Sequence, residues 1–576
     1  MRRILTTLLL TALAAGTQAQ TLDPADYVYP IRGVDGTCSS NFGEMRPGHF
    51  HSGVDIRTGG VEGKPLVAVA DGYVSRIAVS PGGYGRAIYL TLRNGTTAVY
   101  GHLQRFRDDI ERHVARERRA QQKNSVNLFF GPGTWPVRQG DVIGYSGNSG
   151  SSSGPHLHFE IRDTRTQQLY NIVREGIIRP ADSLPPQIVA VHYIEIDTLP
   201  NGICARREGA SRSTVRLDAH RYRLSHNAPV EVGRKGYFVV EVTDRRNGVQ
   251  NRFGIWRLTA WLDDEPYFEY RMDGFTFDQN RYCDAVSYYP LQLSVRTEAI
   301  RLAQPVGTPD RFYPLMADRG IVRTLPGETH RIRIEAEDDS GNRSNLEFDI
   351  CGRDGEFRGE IDSLAEVVRP SAAATLRVGD RMTARIPAGA LHEAVACRPA
   401  QVAAPRTDTG IVALSPAYKV LPDATPLRRT MTVSVRADIP ARLRPHARLA
   451  RRTAKGSAAY VGGSWKEGTV TASTYTVDPL FIVADTVPPR ITARFDRGAD
   501  LSQSSSLSFT AADNFSGIAS YTLLIDGRWT PCDRYPMTGR LVHVFDLPAT
   551  RSTHTVELNV RDGAGNTARW RGTFYR

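Results

Sequence analysis

Residues 154–160 read Gly-Pro-His-Leu-His-Phe-Glu, and the alternation in this stretch decides how the first part of the chain folds. Side chains two apart on a β-strand share a face, so His156 and His158 project together while Leu157 and Phe159 face the other way. The spacing predicts a strand over 156–161 with one apolar and one polar face. A Gly/Ser-rich turn precedes it, with Gly147, Gly150 and Gly154 around Ser149, Ser151, Ser152 and Ser153. Two histidines on an exposed strand edge need no special chemistry by themselves. Their surroundings change that reading.

Upstream stand His51-Ser52-Gly53-Val54-Asp55 and Tyr100-Gly101-His102, both flanked by small residues. The chain has only 14 histidines, yet all of these fall within its first third. A catalytic zinc ion takes three protein ligands and keeps one position for water. His51, Asp55 and His158 fit that count. His102 and His156 are then candidates to take the proton of the attacking water and to stabilise an oxyanion, because imidazole titrates near neutral pH. His49 stands two residues before His51 and is a rival ligand by spacing, but only His51 has an aspartate four residues on in the motif's place. Tyr100 is a candidate substrate or oxyanion contact, with a buried or half-buried strand tyrosine as the favoured reading. Ser149 and Ser151 are candidates to line a substrate groove, with a plain turn as the alternative. His113 is expected on the exposed face of a helix, and the remaining histidines carry no assignment. A cysteine or serine nucleophile finds no support: Cys38 sits in no nucleophile motif, and residues 150–154 lack the strand-to-helix context of a nucleophile elbow.

The surrounding pattern is that of an antiparallel β unit over 20–180. Residues 64–85 alternate short apolar runs with Gly and Pro, and strands over 87–92 and 97–103 flank Asn94-Gly95, a strong hairpin signal. Two further strands are expected over 141–146 and 156–161. Residues 106–123 are the exception, with Ile110 and Val114 among charges at helical spacing. They are read as an inserted helix on the solvated surface, with a lid or substrate wall as the functional alternative.

The His51/Asp55 pair, the Tyr100-Gly101-His102 triplet and the 154–160 stretch, with Ala70-Asp71-Gly72-Tyr73-Val74, residues 82–85 and residues 140–150, resemble the lysostaphin/LytM-type zinc metalloendopeptidases. The resemblance runs over 42–162, about a fifth of the chain. It implies that His51, Asp55 and His158 bind one Zn2+ and that His102 and His156 act on water and oxyanion. It also implies hydrolysis of peptide bonds in peptidoglycan stem or cross-bridge peptides during cell-wall remodelling. The alternative in another class is a non-catalytic wall-binding regulator of another hydrolase, against which the complete ligand set speaks.

The chain has 576 residues, too many for a single core. The expected fold class is mainly β: the peptidase-like core with its helix, followed by about three β-sandwich domains. Residues 182–188 (Asp-Ser-Leu-Pro-Pro-Gln-Ile) repeat as 485–491 (Asp-Thr-Val-Pro-Pro-Arg-Ile). Each copy opens a run of short strands that closes on an Asp-x-x-Gly-Asn turn, at Asp338–Asn342 and at Asp562–Asn566. These two runs, 181–354 (with an insertion over 267–318) and 485–576, resemble bacterial immunoglobulin-like repeats. Residues 355–484 are a β-rich domain of uncertain family, with a loop expected over 403–409.

Arg2 and Arg3, the apolar run 4–15 and Thr17-Gln18-Ala19 read as a signal peptide over 1–19. Export to the periplasm, cell envelope or medium is expected, with no transmembrane anchor. The formal net charge of +12 is carried mostly by arginine. It suits an anionic wall polymer or lipid surface, but a solvated surface on which arginine replaces lysine is the favoured reading. No dense basic stripe or nucleic-acid-binding motif is present, so nucleic acid is excluded as a partner. The trailing sandwiches are expected to meet the wall or a cell-envelope protein. The six cysteines form no Cys-x-x-Cys pair; some are expected to pair as disulfides in an oxidising compartment.

Overall fold

The computed structural model describes residues 22–546 and 548–576, so the expected leader over 1–19 lies outside the described residues. The first unit opens with Cys38–Ser40 (β1) and a hairpin of Met45–Arg46 (β2) with His49–Phe50 (β3). Val54–Arg57 (β4), Pro65–Val67 (β5), Gly72–Val79 (β6), Arg86–Leu92 (β7), Thr96–Gly101 (β8) and Arg105–Phe106 (β9) lead to helix Asp108–Gln121 (α1). Val126–Phe129 (β10), Pro136–Val137 (β11), Val142–Tyr145 (β12), His156–Asp163 (β13) and Leu169–Tyr170 (β14) complete it. The main sheet runs β1-β4-β13-β8-β7-β6-β10, and a smaller sheet runs β5-β12-β9. Alternation sets the faces: Val54, Ile56, Leu157, Phe159 and Ile161 are fully buried, while their neighbours in sequence look to the other side of the sheet. The β7–β8 hairpin turns at Asn94-Gly95, where Gly95 takes φ +84°, the left-handed conformation that glycine adopts without strain.

Helix α1 differs from the surface excursion expected of it. Ile110 and Val114 are buried, and so is Arg118 in the last turn. Arg118 reaches across to the far end of the chain, donating to Asp533 Oδ1 at 2.7 Å and to the Cys532 carbonyl at 3.2 Å. Arg86 donates to Asp533 Oδ2 at 2.9 Å and pairs with Glu111 on the helix. One carboxylate thus holds two buried guanidiniums between the first unit and the last. Replacing Asp533 by alanine leaves Arg118 buried with only a carbonyl. The expected loss is about 2–3 kcal/mol, the low end for such pairs, because Asp533 keeps 19% of its side chain exposed. An unchanged midpoint in denaturant unfolding of the full chain would remove this contact from the account.

Three strand-rich units follow. In the first, the long strand Cys204–Arg216 pairs with Gln187–Thr198 and then with Arg221–Leu224, so one sheet of 12 strands wraps around its core. The insertion expected over 267–318 does not hang free. Its strand Gly274–Phe275 pairs with β14. Phe275 lies 5.2 Å from Phe42 and 5.4 Å from Phe50 between ring centres, and Phe312 lies 5.5 Å from Phe50. The first unit and its neighbour therefore share one continuous apolar core, across the boundary that composition places near 180. A pairing between two-residue strands leaves no periodicity in sequence, which is why it escapes a reading of pattern. Residues 368–482 enclose a second core, within sheets of five and six strands. Residues 491–574 enclose a third, within sheets of four and five. All six cysteines are unpaired thiols, four of them buried, so the expected disulfides do not form. Among the described residues no helix is long and apolar enough to cross a membrane.

Candidate metal centre

The site is built by register. Strand β13 lies between β4 and β8, with His158 opposite Asp55 on one side and Gly101 on the other. Because Val54 and Ile56 point into the core, Asp55 shares the face of His158. His51 enters from the segment before β4, its amide fixed to the Glu44 carbonyl at 2.9 Å. The glycine between His51 and Asp55 has a steric reason. A Cβ on Gly53 would stand 2.4 Å from the Phe159 carbonyl oxygen and 2.8 Å from Glu160 Cγ. At the end of β8 the chain leaves the sheet with His102 at φ +63°. A non-glycine residue there costs about 1 kcal/mol or more, and the surroundings hold it: His102 N–H donates to the Tyr84 carbonyl at 2.8 Å and Leu103 N–H to that of Arg86 at 3.0 Å.

Three ligand atoms converge. His51 Nε2 lies 3.1 Å from His158 Nδ1 and 3.1 Å from Asp55 Oδ1, and His158 Nδ1 lies 2.9 Å from Asp55 Oδ1. A tetrahedron with bonds of about 2.0–2.1 Å has edges of about 3.3 Å, so this triangle is close to one face of it. The far nitrogens fix the tautomers. His51 Nδ1 is 2.8 Å from the Asn41 carbonyl and donates to it, leaving Nε2 bare. His158 Nε2 is 2.8 Å from Glu160 Oε1, leaving Nδ1 for the metal. Each imidazole thus has the acceptor behind it that metal-bound histidines use. The residues present fit a zinc ion. Burial opposes the charged form of His158, but Asp55 and Glu160 outweigh it and hold its pKa at about 9 in the metal-free site. Burial likewise opposes the Asp55 carboxylate, yet the His51 and His158 rings beside it keep its pKa well below the usual range.

Behind the ligands, Glu160 is fully buried. Its Oε1 also accepts from Ser52 Oγ at 2.7 Å and Tyr84 OH at 2.6 Å, and its Oε2 from Arg162 Nε at 2.7 Å. Burial would raise its pKa, but Arg162 and His158 hold it low. Replacing Glu160 by glutamine keeps the shape and removes the charge behind His158. Zinc affinity is expected to fall about 10–100-fold, measured by competition with a chromogenic chelator. Equal affinity would show that this carboxylate does not tune the ligand. On the other side, Asp55 Oδ2 accepts from Arg46 Nη2 at 3.2 Å.

His102 and His156 flank the triangle with ring centres 4.7 Å apart. Their Nδ1 atoms are tied back, His102 to the Ser149 carbonyl at 2.8 Å and His156 to the Gly154 carbonyl at 2.8 Å. Each ring therefore carries its proton on Nδ1 and offers Nε2 as a lone pair; that of His156 lies 3.5 Å from Asp55 Oδ1. Burial, reinforced by His156 and His158, pushes the His102 pKa down to about 3. Burial also lowers that of His156, against the pull of Asp55. Both rings are neutral bases at working pH.

The five histidine and aspartate candidates come together; the substrate candidates divide. Tyr100 is fully buried, its hydroxyl donating to the Val67 carbonyl at 2.8 Å and accepting from Val69 N–H at 3.1 Å, with its ring against Phe159. It braces β5 and does not face the site. Ser149 is also buried. Its hydroxyl bridges the Leu103 carbonyl and the Arg86 amide, and its own carbonyl anchors His102, so it positions a histidine. Ser151 is exposed and accepts from Gly83 N–H at 3.0 Å, joining the two loops beside the site. His49 lies outside the ligand triangle, with Nδ1 3.2 Å from the Pro47 carbonyl. His113 is half-buried against Phe130 and Trp135 and not on an open face. Asn41, Ser52, Tyr84 and Glu160 escape sequence reasoning. Only Glu160 left a signal, as the next residue on the His156/His158 face.

Residues 49–119 and 133–170 match the family described as Peptidase family M23, and residues 375–485 match a Zu5-like domain. The break in the first match begins at the C-terminal end of α1 and runs over 120–132. The DD-carboxypeptidase/endopeptidase Mpg of Neisseria meningitidis serogroup B is 33% identical over 113 residues, which is 20% of this chain and 20% of that protein. An uncharacterized metalloprotease of Haemophilus influenzae is 37% identical over 120 residues, 20% of this chain and 19% of that one. The matched part is thus about a fifth of the length of these curated relatives. The solved catalytic domain of the prophage-encoded M23 protein EnpA from Enterococcus faecalis is 27% identical over 24% of this chain and 88% of that one, with a TM-score of 0.18. Motif, geometry and family match thus agree on a Peptidase family M23 domain in this chain, matched over residues 49–119 and 133–170.

Proposed function

We propose that this chain is a zinc-dependent endopeptidase that cuts peptide bonds in peptidoglycan stem or cross-bridge peptides outside the cytoplasm. The observation that carries the reading is the ligand triangle of His51, Asp55 and His158, with both imidazoles pinned from behind. Zinc held there supplies a water of lowered pKa and polarises the scissile carbonyl. His102 Nε2 and His156 Nε2 stand bare on the flank of that position; either can take the water's proton, and the imidazolium so formed then donates from Nε2 to the oxygen that gains charge. After transfer the same imidazolium returns a proton to the departing amine. The Ser149 and Gly154 carbonyls keep both rings in the tautomer this requires.

A cleft of about 770 Å³ supports a path for an extended peptide. It is lined by Glu62, Gln104, Arg105 and Asn148 from the first unit and by Tyr535 and Arg540 from the last. Gln104 stands two residues after His102 and Asn148 one before Ser149, so the segments that carry His102 and its Ser149 anchor also contribute to the cleft. The name of the Neisseria relative, a DD-carboxypeptidase/endopeptidase, supports a substrate with D-amino acids. In this reading residues 1–19 direct export to the periplasm or envelope. Residues 20–180 are the catalytic unit, and 181–354, 355–484 and 485–576 position it against the wall or an envelope protein.

The test is mass spectrometry of defined muropeptides incubated with the purified chain. Cleavage that stops on chelation and returns with zinc supports the proposal. Zinc bound at the centre without cleavage of any wall fragment would replace it with a wall-binding regulator.

A further inference from the structure

The first unit's neighbour buries more negative charge than it neutralises. Asp182, Asp244 and Asp338 bring carboxylate oxygens within 4.8 Å of one another. Asp339 stands beside them, and Arg246 is the cation that faces the cluster. Arg246 is already engaged: its Nη2 contacts both oxygens of Asp339, at 2.6 and 2.7 Å, while its Nε stays 3.9 Å from Asp182 Oδ2.

Asp244 is the observation that sets this cluster apart from an ordinary acidic turn. It is completely buried, and among the described residues neither of its carboxylate oxygens meets a donor in hydrogen-bonding geometry, the nearby Arg245 amide included. The buried Oδ2 of Asp182 is likewise without a donor. A buried carboxylate with no partner costs several kcal/mol if ionised, so it is either protonated or held by a cation that completes it. Burial, with Asp338 and Asp182 close by, pushes the Asp244 pKa far above the carboxylate range. Asp338 is pre-shaped by its turn: Oδ1 accepts from Ser340 and Asn342 amides, and Oδ2 from Asn342 Nδ2, each at 2.9 Å.

The last unit supplies an internal comparison. Asp485, Asp513 and Asp562 form the same triangle at the same sequence offsets from Pro-Pro and Gly-Asn. There the position of Asp244 is taken by Asp513, whose Oδ2 accepts from the amides of Phe515 at 3.0 Å and Gly517 at 2.8 Å. Ser516 Oγ donates to Asp485 at 2.8 Å. Asn247, which stands where Ser516 does, turns its amide to Ser183 Oγ instead. The second triangle leaves one buried oxygen, Asp513 Oδ1, without a donor; the first leaves three, both of Asp244 and Oδ2 of Asp182.

The geometry points to a calcium site formed by Asp182, Asp244 and Asp338, separate from the catalytic centre. Calcium takes 6–8 oxygens at about 2.3–2.6 Å, so ligand oxygens on its sphere lie up to about 5 Å apart, which accommodates the observed spread. Three carboxylates and no nitrogen or sulfur donor select a hard cation over zinc. Magnesium, with oxygens at about 2.0–2.1 Å in a strict octahedron, fits a pre-set triangle less well. A surface cleft of about 580 Å³ is lined by Leu184, Arg245 and Arg246, close in sequence to Asp182 and Asp244.

The test is calorimetric titration of the full chain, stripped of metal and reloaded with zinc, with calcium chloride, and with magnesium chloride as control. One calcium ion per chain is expected at this site, weakened about 100-fold or more in Asp244→Asn. Asp182→Asn provides a second reading in case the buried substitution disturbs folding, since its amide oxygen still accepts from Leu184 N–H. The unfolding temperature of wild type should rise with calcium, and that of each variant should not. No calcium binding by the wild type at millimolar concentration overturns the assignment. So does binding that persists unchanged in both variants, because the ion would then sit elsewhere.

Discussion

Replacing His158 by alanine is expected to remove zinc and peptidase activity together. His158 is the hub of the site: its Nδ1 is in reach of both His51 Nε2 and Asp55 Oδ1, and it lies on the central strand between the two that carry the other groups. Two ligands remain in the variant, too few for a catalytic zinc site. Activity should fall by more than the about 10²–10⁴-fold that loss of a general base costs, and zinc content after gel filtration should approach zero. Retained zinc at one equivalent would reassign the ligands. The same residue sets a pH dependence. In the metal-free chain its pKa is held at about 9, so at neutral pH zinc must displace a proton from Nδ1. The protonated form competes with metal below that pKa and ceases to compete above it. Zinc affinity should therefore weaken about tenfold per unit as pH falls below 9, with about one proton released per ion bound. A pH-independent affinity between 6 and 8 would contradict this.

The second large effect belongs to His102, and it should separate chemistry from metal binding. Asparagine is the informative replacement, because it tolerates the left-handed backbone that His102 adopts at φ +63°. His102→Asn should keep one zinc ion and lose about 10²–10⁴-fold in kcat. A loss of zinc in this variant would make His102 a ligand or a brace of the site. A sub-threefold change in kcat would remove it from the proton transfers. Burial keeps its pKa near 3, and a base with a lowered pKa stays neutral as pH falls through 6.5. Its protonation cannot set an acid limb near neutrality. Any loss of activity between pH 7 and 5 should instead follow the loss of zinc.

What the sequence made legible was whatever repeats with the period of a strand. His156 and His158 announce one face of β13, and the His51/Asp55 spacing announces a second contributor; register then does the rest by placing His158 opposite Asp55. Tyr100 shows the limit of reading by motif. Next to Gly101 and His102 it looks functional, yet it faces Phe159 across the apolar side of the sheet. Asn41 shows another limit, because its backbone carbonyl holds His51, a role that leaves no trace in residue type. Its side chain is meanwhile locked to Gly254 of the next unit, by bonds of 2.8 and 3.0 Å. Contacts that join the ends of the chain were equally silent. The Arg86–Asp533 pair spans residues hundreds apart, and no local pattern links them.

The most direct test of the central claim is anomalous X-ray diffraction at the zinc edge on crystals of the full chain. The account predicts one strong peak about 2.0–2.2 Å from His51 Nε2, Asp55 Oδ1 and His158 Nδ1, with His102 and His156 beside it but not bonded to it. A peak bonded to His49, His102 or His156 in place of any of the three, or no peak in active protein, would contradict it.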